Sequence, residues 1–168
     1  MYGRIDAVLG MDGALRSIVV AIDGSDHAAT ALALAIDLAQ HYDARLTIVS
    51  VAPIEVPMPV GEPGDVMPPP VIPESLLPEA RDLVDAAVVR ARGAGVRAVE
   101  GVYREGSPVG QVLELLSNHP TDLLVLGSHG ASAATRLLLG SVSTALVHRA
   151  PCPVLVVRRP PAKLSDER

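Results

Sequence analysis

Gly127, Gly130, Gly140, Ser141 and Ser143 are the residues whose types and spacing could hold an anion. They lie in the stretch 123–157, LLVLGSHGASAATRLLLGSVSTALVHRAPCPVLVV. It reads as strand, glycine-marked loop, helix, proline stop and strand. Val142, Ala145 and Leu146 fall at i, i+3 and i+4, a core-facing helical stripe. Pro151 ends the helix, since proline lacks a donor and clashes with the preceding turn. The first amides of a helix have no partner inside it and lie at the positive end of its dipole. A phosphate placed there gains hydrogen bonds and a favourable field. Glycines at the loop borders let backbone approach a ligand. Ser141 and Ser143 add hydroxyl donors or cap the helix. Taken alone, strand–loop–helix is a weak signal, because most such loops in α/β proteins are only turns.

A second polar constellation is Asp23-Gly24-Ser25, which ends the apolar run 17–23 (SIVVAID). Ser25 suits the N-cap of a following helix, and Asp23 is either a charge at that helix start or a ligand contact. The remaining reactive side chains form no constellation. His129 lies inside the loop without an evident orienting partner, so it is read as contributing its amide rather than acting as a base. His27, His41, His119 and His148 lack metal-ligand spacing and are read as helix-end or surface groups. Arg136 is mid-loop and is either a charged donor to a terminal phosphate or a solvated side chain. Cys152, between two prolines, is read as a small hydrophobe.

The elements that must position these groups follow from periodicity. Residues 17–23 and 46–51 (LTIVSV) are near-continuous apolar runs, the pattern of strands buried on both faces. Between them Ala28, Leu32, Ile36 and Ala39 repeat at helical spacing. A second helix is predicted from about residue 74 to 92, with Leu83, Ala87, Val88 and Ala91 inward and Gly93 and Gly95 at its end. Residues 96–103 (VRAVEGVY) alternate as a half-buried strand. Ser107-Pro108 starts a third helix with Val109, Val112, Leu113 and Leu116 on one face, and His119-Pro120 stops it. The order β-α-β-loop-α-β-α-β-α-β implies a parallel sheet covered on both faces. Ligands of such sheets bind beyond the carboxyl ends of the strands, where strand order reverses. If strands one and four are neighbours, Asp23-Gly24-Ser25 and the Gly127 loop face each other across one cleft.

Composition narrows the class. The chain has 168 residues, a length for one domain, and 49% apolar residues, enough for a core of Val, Leu, Ile and Ala. Residues 1–15 are read as a loose leader, 53–73 as a proline-rich loop and 159–168 as a polar tail. Met58 and Met67 in the proline-rich loop either touch a ligand or patch the exterior of the fold, and the second reading is preferred. The net charge of −5 argues against nucleic acid or an anionic membrane as partner. One cysteine permits no internal disulfide, and no apolar run reaches membrane-spanning length. A cytoplasmic protein is expected.

At this point the motifs resemble a known family. Gly-x2-Gly-x9-Gly-Ser, here Gly127, Gly130, Gly140 and Ser141, resembles the nucleotide signature of the universal stress proteins. VVAIDGS at 19–25, GSHGAS at 127–132 and GSVSTALVHRAPCPVLVVR at 140–158 support it, and the resemblance spans roughly residues 17 to 158. It implies a five-stranded sheet of order 3-2-1-4-5, a Rossmann-like sandwich of the adenine nucleotide alpha hydrolase kind. It also implies the ATP-binding branch, usually with a divalent ion, magnesium or manganese, on the triphosphate. By motif, Asp23 and the backbone around Ala21 face adenine and ribose, and Val51 packs on the base. Gly127 lies near the ribose. Gly130, Gly140, Ser141, Val142 and Ser143 line the phosphates. Homodimerisation through the strand at 154–157 is implied as well. Ala21 departs from the proline some members carry there.

The expected function is that of an ATP-binding stress or signalling regulator, in which phosphates order the 127–140 loop and change the surface it presents. Other readings stay open: a slow ATP hydrolase, a sensor preferring AMP or cyclic AMP, or a scaffold without nucleotide. The sequence has no GxxxxGK[ST], no dedicated base and only Arg136 as a positive group near the loop, so any turnover is expected to be very slow.

Overall fold

The structure, a computed structural model, describes residues 15–54, 76–130 and 139–158. Its elements are β1 (Ser17–Ala21), α1 (Asp26–Tyr42), β2 (Arg45–Ala52), α2 (Leu76–Gly93), β3 (Val99–Glu105), α3 (Pro108–Asn118), β4 (Leu123–Gly127), α4 (Ser141–Arg149) and β5 (Val154–Val157). The strands form one parallel sheet in the order β3-β2-β1-β4-β5. β1 lies between β2 and β4, and the chain reverses its direction of travel across the sheet at β1 and β4. The register Ile18↔Leu123 to Ala21↔Leu126 brings the carboxyl ends of those two strands level. At the other end Asp122 fixes that register. Its Oδ2 accepts from the amides of Arg16 (2.7 Å) and Ser17 (2.9 Å), and its own amide donates to Ser17 O (2.9 Å).

The strands are apolar runs because helices cover both faces. On one face Ile18, Val20, Leu46, Ile48, Leu123 and Val125 pack with apolar residues of α1 and α2. On the other, Val19, Val49, Leu124 and Leu126 pack with Val112, Leu115 and Leu116 of α3 and Leu146 of α4. The helices end where sequence chemistry says they should. Ser25 and Ser107 cap α1 and α3, their hydroxyls accepting from Ala28 N (3.1 Å) and Gly110 N (3.4 Å). Asp43 adopts a left-handed conformation (φ 52) after α1, which a short polar side chain tolerates. His119 and Ala150, each before a proline, are extended and close α3 and α4.

Three boundaries differ from the sequence reading. β3 runs Val99–Glu105, later than the 96–103 expected. Val96 is buried, but it closes the end of α2, its amide donating to Ala91 O (3.1 Å), so its hydrophobicity serves a helix stop. β1 ends at Ala21, short of Asp23, although Ile22 still donates to Val49 O (2.9 Å). Leu15, assigned to the leader, is 1% exposed and belongs to the core under α1. The rest of that leader, the proline-rich loop beyond residue 54 with Met58 and Met67, the loop segment with Arg136, and the tail from residue 159 lie outside the described residues.

Candidate functional site

Beyond the carboxyl ends of β1, β2 and β4 lies a cavity of about 1040 Å³. Its walls include all nine residues singled out as a binding set: Ala21, Asp23, Val51, Gly127, Gly130, Gly140, Ser141, Val142 and Ser143. The condition set by the sequence is met, since β1 and β4 are paired and their following loops share one cleft. Close approach of backbone joins the two sides. A Cβ added at Gly130 would stand 2.6 Å from Asp23 Oδ2, and one at Gly140 would stand 3.7 Å from Gly130 N. Gly130 is therefore where the strand-one tip and the strand-four loop touch. Asp23 is also held by its own turn, with Oδ1 accepting from Ser25 N (3.1 Å).

The electrostatic feature of the cleft is the start of α4. Gly140 is its N-cap and offers no side chain to cap it. Thr144 is the first residue whose amide bonds back, to Gly140 O (2.8 Å), which leaves the amides of Ser141, Val142 and Ser143 without partners inside the helix. α1 and α3 begin at the same edge of the sheet, yet each is closed by its own serine. Neither serine of α4 acts as a cap, contrary to one expectation. The Ser143 hydroxyl donates to Gly127 O (2.8 Å), tying α4 to the end of β4, so this residue can offer a ligand its amide but not its hydroxyl hydrogen. Gly140 N donates to Ser128 O (2.8 Å) and Ser128 N to Val157 O (2.8 Å), which brace the loop base between α4 and β5.

Gly127 has a packing reason beside any ligand. A Cβ there would lie 2.9 Å from the backbone of His27 and Ala28, so β4 and the first turn of α1 meet only because position 127 has no side chain. The charged residues among the described lining are Asp23 and Glu79, both acidic. An anion in this cleft is thus met by backbone amides rather than by described Lys or Arg side chains. Among the described residues no group of three or more His, Cys, Asp or Glu could hold a metal ion.

Sequence reasoning missed several wall residues. Ser50 is a buried polar residue of β2, and Glu79 and Leu83 come from α2, whose approach to the cleft has no local sequence signal. It also missed a histidine pair. Ser128 Oγ lies 3.2 Å from His27 Nδ1 and 3.0 Å from His129 Nδ1, and the two rings are 5.2 Å apart. His129, read from sequence as lacking an orienting partner, has one in its neighbour and another near it on α1.

Comparison with known proteins agrees with this architecture. The sequence model described as the Universal stress protein family matches residues 14–158. A protein of Thermus aquaticus named for a universal stress protein in the QAH/OAS sulfhydrylase 3′ region is 37% identical over 146 residues, covering 85% of this chain and 98% of the relative. Universal stress protein YxiE of Bacillus subtilis is 34% identical over 149 residues, covering 84% and 97%. Among solved structures, a universal stress protein in complex with cAMP superposes with a TM-score of 0.64 at 27% identity, covering 86% of this chain and 98% of that one. Matched along nearly its whole described length, the chain belongs to the universal stress protein family.

Proposed function

We propose that this protein is a nucleotide-dependent regulator that holds an adenine nucleotide, ATP foremost, across the cleft between the β1 tip and the start of α4. One observation carries the reading. The three α4 amides without partners inside the helix and the Asp23 carboxylate line the same cavity, an anion seat beside an acceptor suited to ribose hydroxyls or an adenine amine. Asp23 and the Ala21 backbone meet the nucleoside, Val51 packs on the base, and Gly127 lies by the ribose. Gly130, Gly140, Ser141, Val142 and Ser143 surround the phosphates. The divalent ion neutralises phosphate charge that the described walls leave unmatched. The phosphates order the 127–140 loop, and the changed surface is read by a protein partner in the cytoplasm. The whole chain acts as one domain and as a homodimer joined along β5, the outer strand of the sheet.

The test is the mass of the nucleotide that copurifies with the gently isolated protein, followed by titration with ATP. Bound adenine nucleotide and saturable ATP binding support the reading. A protein that neither carries nor takes up nucleotide contradicts it. A sensor preferring AMP or cyclic AMP is favoured by the cAMP complex of the 27% identical relative. Competition of cyclic AMP and AMP against ATP on the same preparation separates the two.

A further inference from the structure

The histidine pair beside the cleft has no part in the nucleotide binding proposed above, and one nitrogen of it, on His129, lacks a partner among the described residues. Ser128 is 0% exposed, and its hydroxyl sits between His27 Nδ1 and His129 Nδ1. His129 Nε2 is buried and has no hydrogen-bond partner among the described residues, although His129 forms part of the cavity wall. A buried polar atom left without a partner costs about 1–3 kcal/mol, so such atoms mark places where something else binds. The rest of the residue is fixed. Its carbonyl accepts from Ser25 Oγ (3.3 Å), and its Cα would lie 3.4 Å from a Cβ at Gly140, the N-cap of α4.

One hydroxyl hydrogen cannot serve two ring nitrogens. With both rings neutral, Ser128 donates to one Nδ1 and accepts from the other. If Ser128 donates to His129 Nδ1, the His129 proton is on Nε2, and His27 Nδ1–H donates to Ser128. In the reverse arrangement His129 Nε2 presents a lone pair. The α4 amides without partners inside the helix line the same cavity as His129 and are suited to an oxyanion, which accepts and does not donate. A lone pair turned to that oxyanion would repel it.

We infer that His129 is a ligand-contacting residue, whose Nε2–H donates to a phosphoryl oxygen of the bound nucleotide, and that Ser128 and His27 are positioning residues that fix the tautomer able to do so. This rests on the cleft being a nucleotide site. It adds a side-chain donor to a seat otherwise made of backbone. The chain places the relay on two elements: His27 in the first turn of α1, Ser128 and His129 just past β4. The close contact of those elements at Gly127 keeps the rings in register.

The experiment uses the full chain, with ATP as the probe. Imidazole nitrogen spectra of the wild type report the tautomers directly. The expected result is a protonated Nε2 and bare Nδ1 on His129, with the Nε2–H resonance moving on ATP addition. In calorimetry, His129→Leu is expected to weaken ATP about tenfold to a hundredfold, the range for losing a hydrogen bond to a charged group. His129→Gln, which places an N–H at similar reach, is expected to stay within about threefold of the wild type. Ser128→Ala is expected to mix the tautomers and weaken ATP less than His129→Leu. ATP binding with an unmoved His129 Nε2, or undiminished affinity in His129→Leu, overturns this inference and leaves the nucleotide site standing. A wild type that binds no ATP removes both together.

Discussion

At the residue scale, the site depends on what is missing at position 140. Gly140 has φ −60 and ψ 153, a conformation open to any residue, and an added Cβ meets only ordinary contacts at 3.4 Å. Its glycine is therefore not required by the backbone. Gly140→Asp places a carboxylate where it can cap α4 from within, which satisfies the amides an anion would use. Unfolding in urea without nucleotide is expected to change by no more than about 0.5 kcal/mol. ATP affinity is expected to fall at least about tenfold in the same preparation. Equal affinities would show that the α4 start does not hold the phosphates. Cys152 gives a prediction with a sign. Burial pushes its thiol up, a backbone hydrogen bond at Leu124 pulls it down, and the charge of Asp122 raises it further. The folded thiol stays neutral where an unfolded one ionises. Its contribution to stability is whole below the ordinary thiol value of 9.0 and is lost as pH rises above it. Reaction with a disulfide reagent near pH 8 is expected to be severalfold slower in the folded protein than in urea, because thiolate is the nucleophile. The glycine spacing was legible in the sequence because a motif is local. The relay of His27 and His129 was not, since 101 residues separate His27 from the Ser128 hydroxyl between the rings.

At the element scale, the cleft exists because α1 starts hard against the end of β4. Gly127→Ala would set a Cβ 2.9 Å from backbone atoms of His27 and Ala28, and backbone cannot rotate away as a side chain can. The expected cost is about 1–3 kcal/mol in urea unfolding, larger than for Gly140→Asp, with α1 displaced from the sheet. A neutral substitution would mean that α1 and β4 are less tightly apposed than the structure shows. Elements with strong periodicity and end signals were readable: Ala28, Leu32, Ile36 and Ala39 are all buried in α1, and Ser107-Pro108 opens α3. β3 was misplaced because it is an edge strand with a weak pattern. Only Val99, Val102, Arg104 of its seven residues are even half-buried, while the fully buried Val96 just before it drew the boundary too early. The lining from Glu79 and Leu83 was illegible for another reason. Which helix leans over a cleft is decided by sheet order and crossover, not by the helix's own sequence.

At the scale of the whole molecule, strand order makes the site. Placing β1 beside β4 rather than beside β5 is what unites two loops more than a hundred residues apart. Alternation of strands and helices predicted the parallel sheet; the order itself came only from family resemblance. The same order leaves β5 as an outer strand whose Val154, Leu155 and Val156 are only half-buried, an apolar edge that invites pairing. Sedimentation is expected to give twice the 17.5 kDa chain mass. Val156→Pro, which removes a strand donor, is expected to shift it toward a single chain. A wild type sedimenting as one chain would contradict pairing along β5.

Nucleotide binding in this cleft requires the amides at the start of α4 to receive a negatively charged group. Backbone amide shifts of Ser141, Val142 and Ser143, followed while ATP is added to the full chain, read this most directly. All three are expected to move to saturation at the concentration that saturates binding, while the capped amides Ala28 and Gly110 stay put. ATP that saturates the protein without moving those three amides would contradict the account.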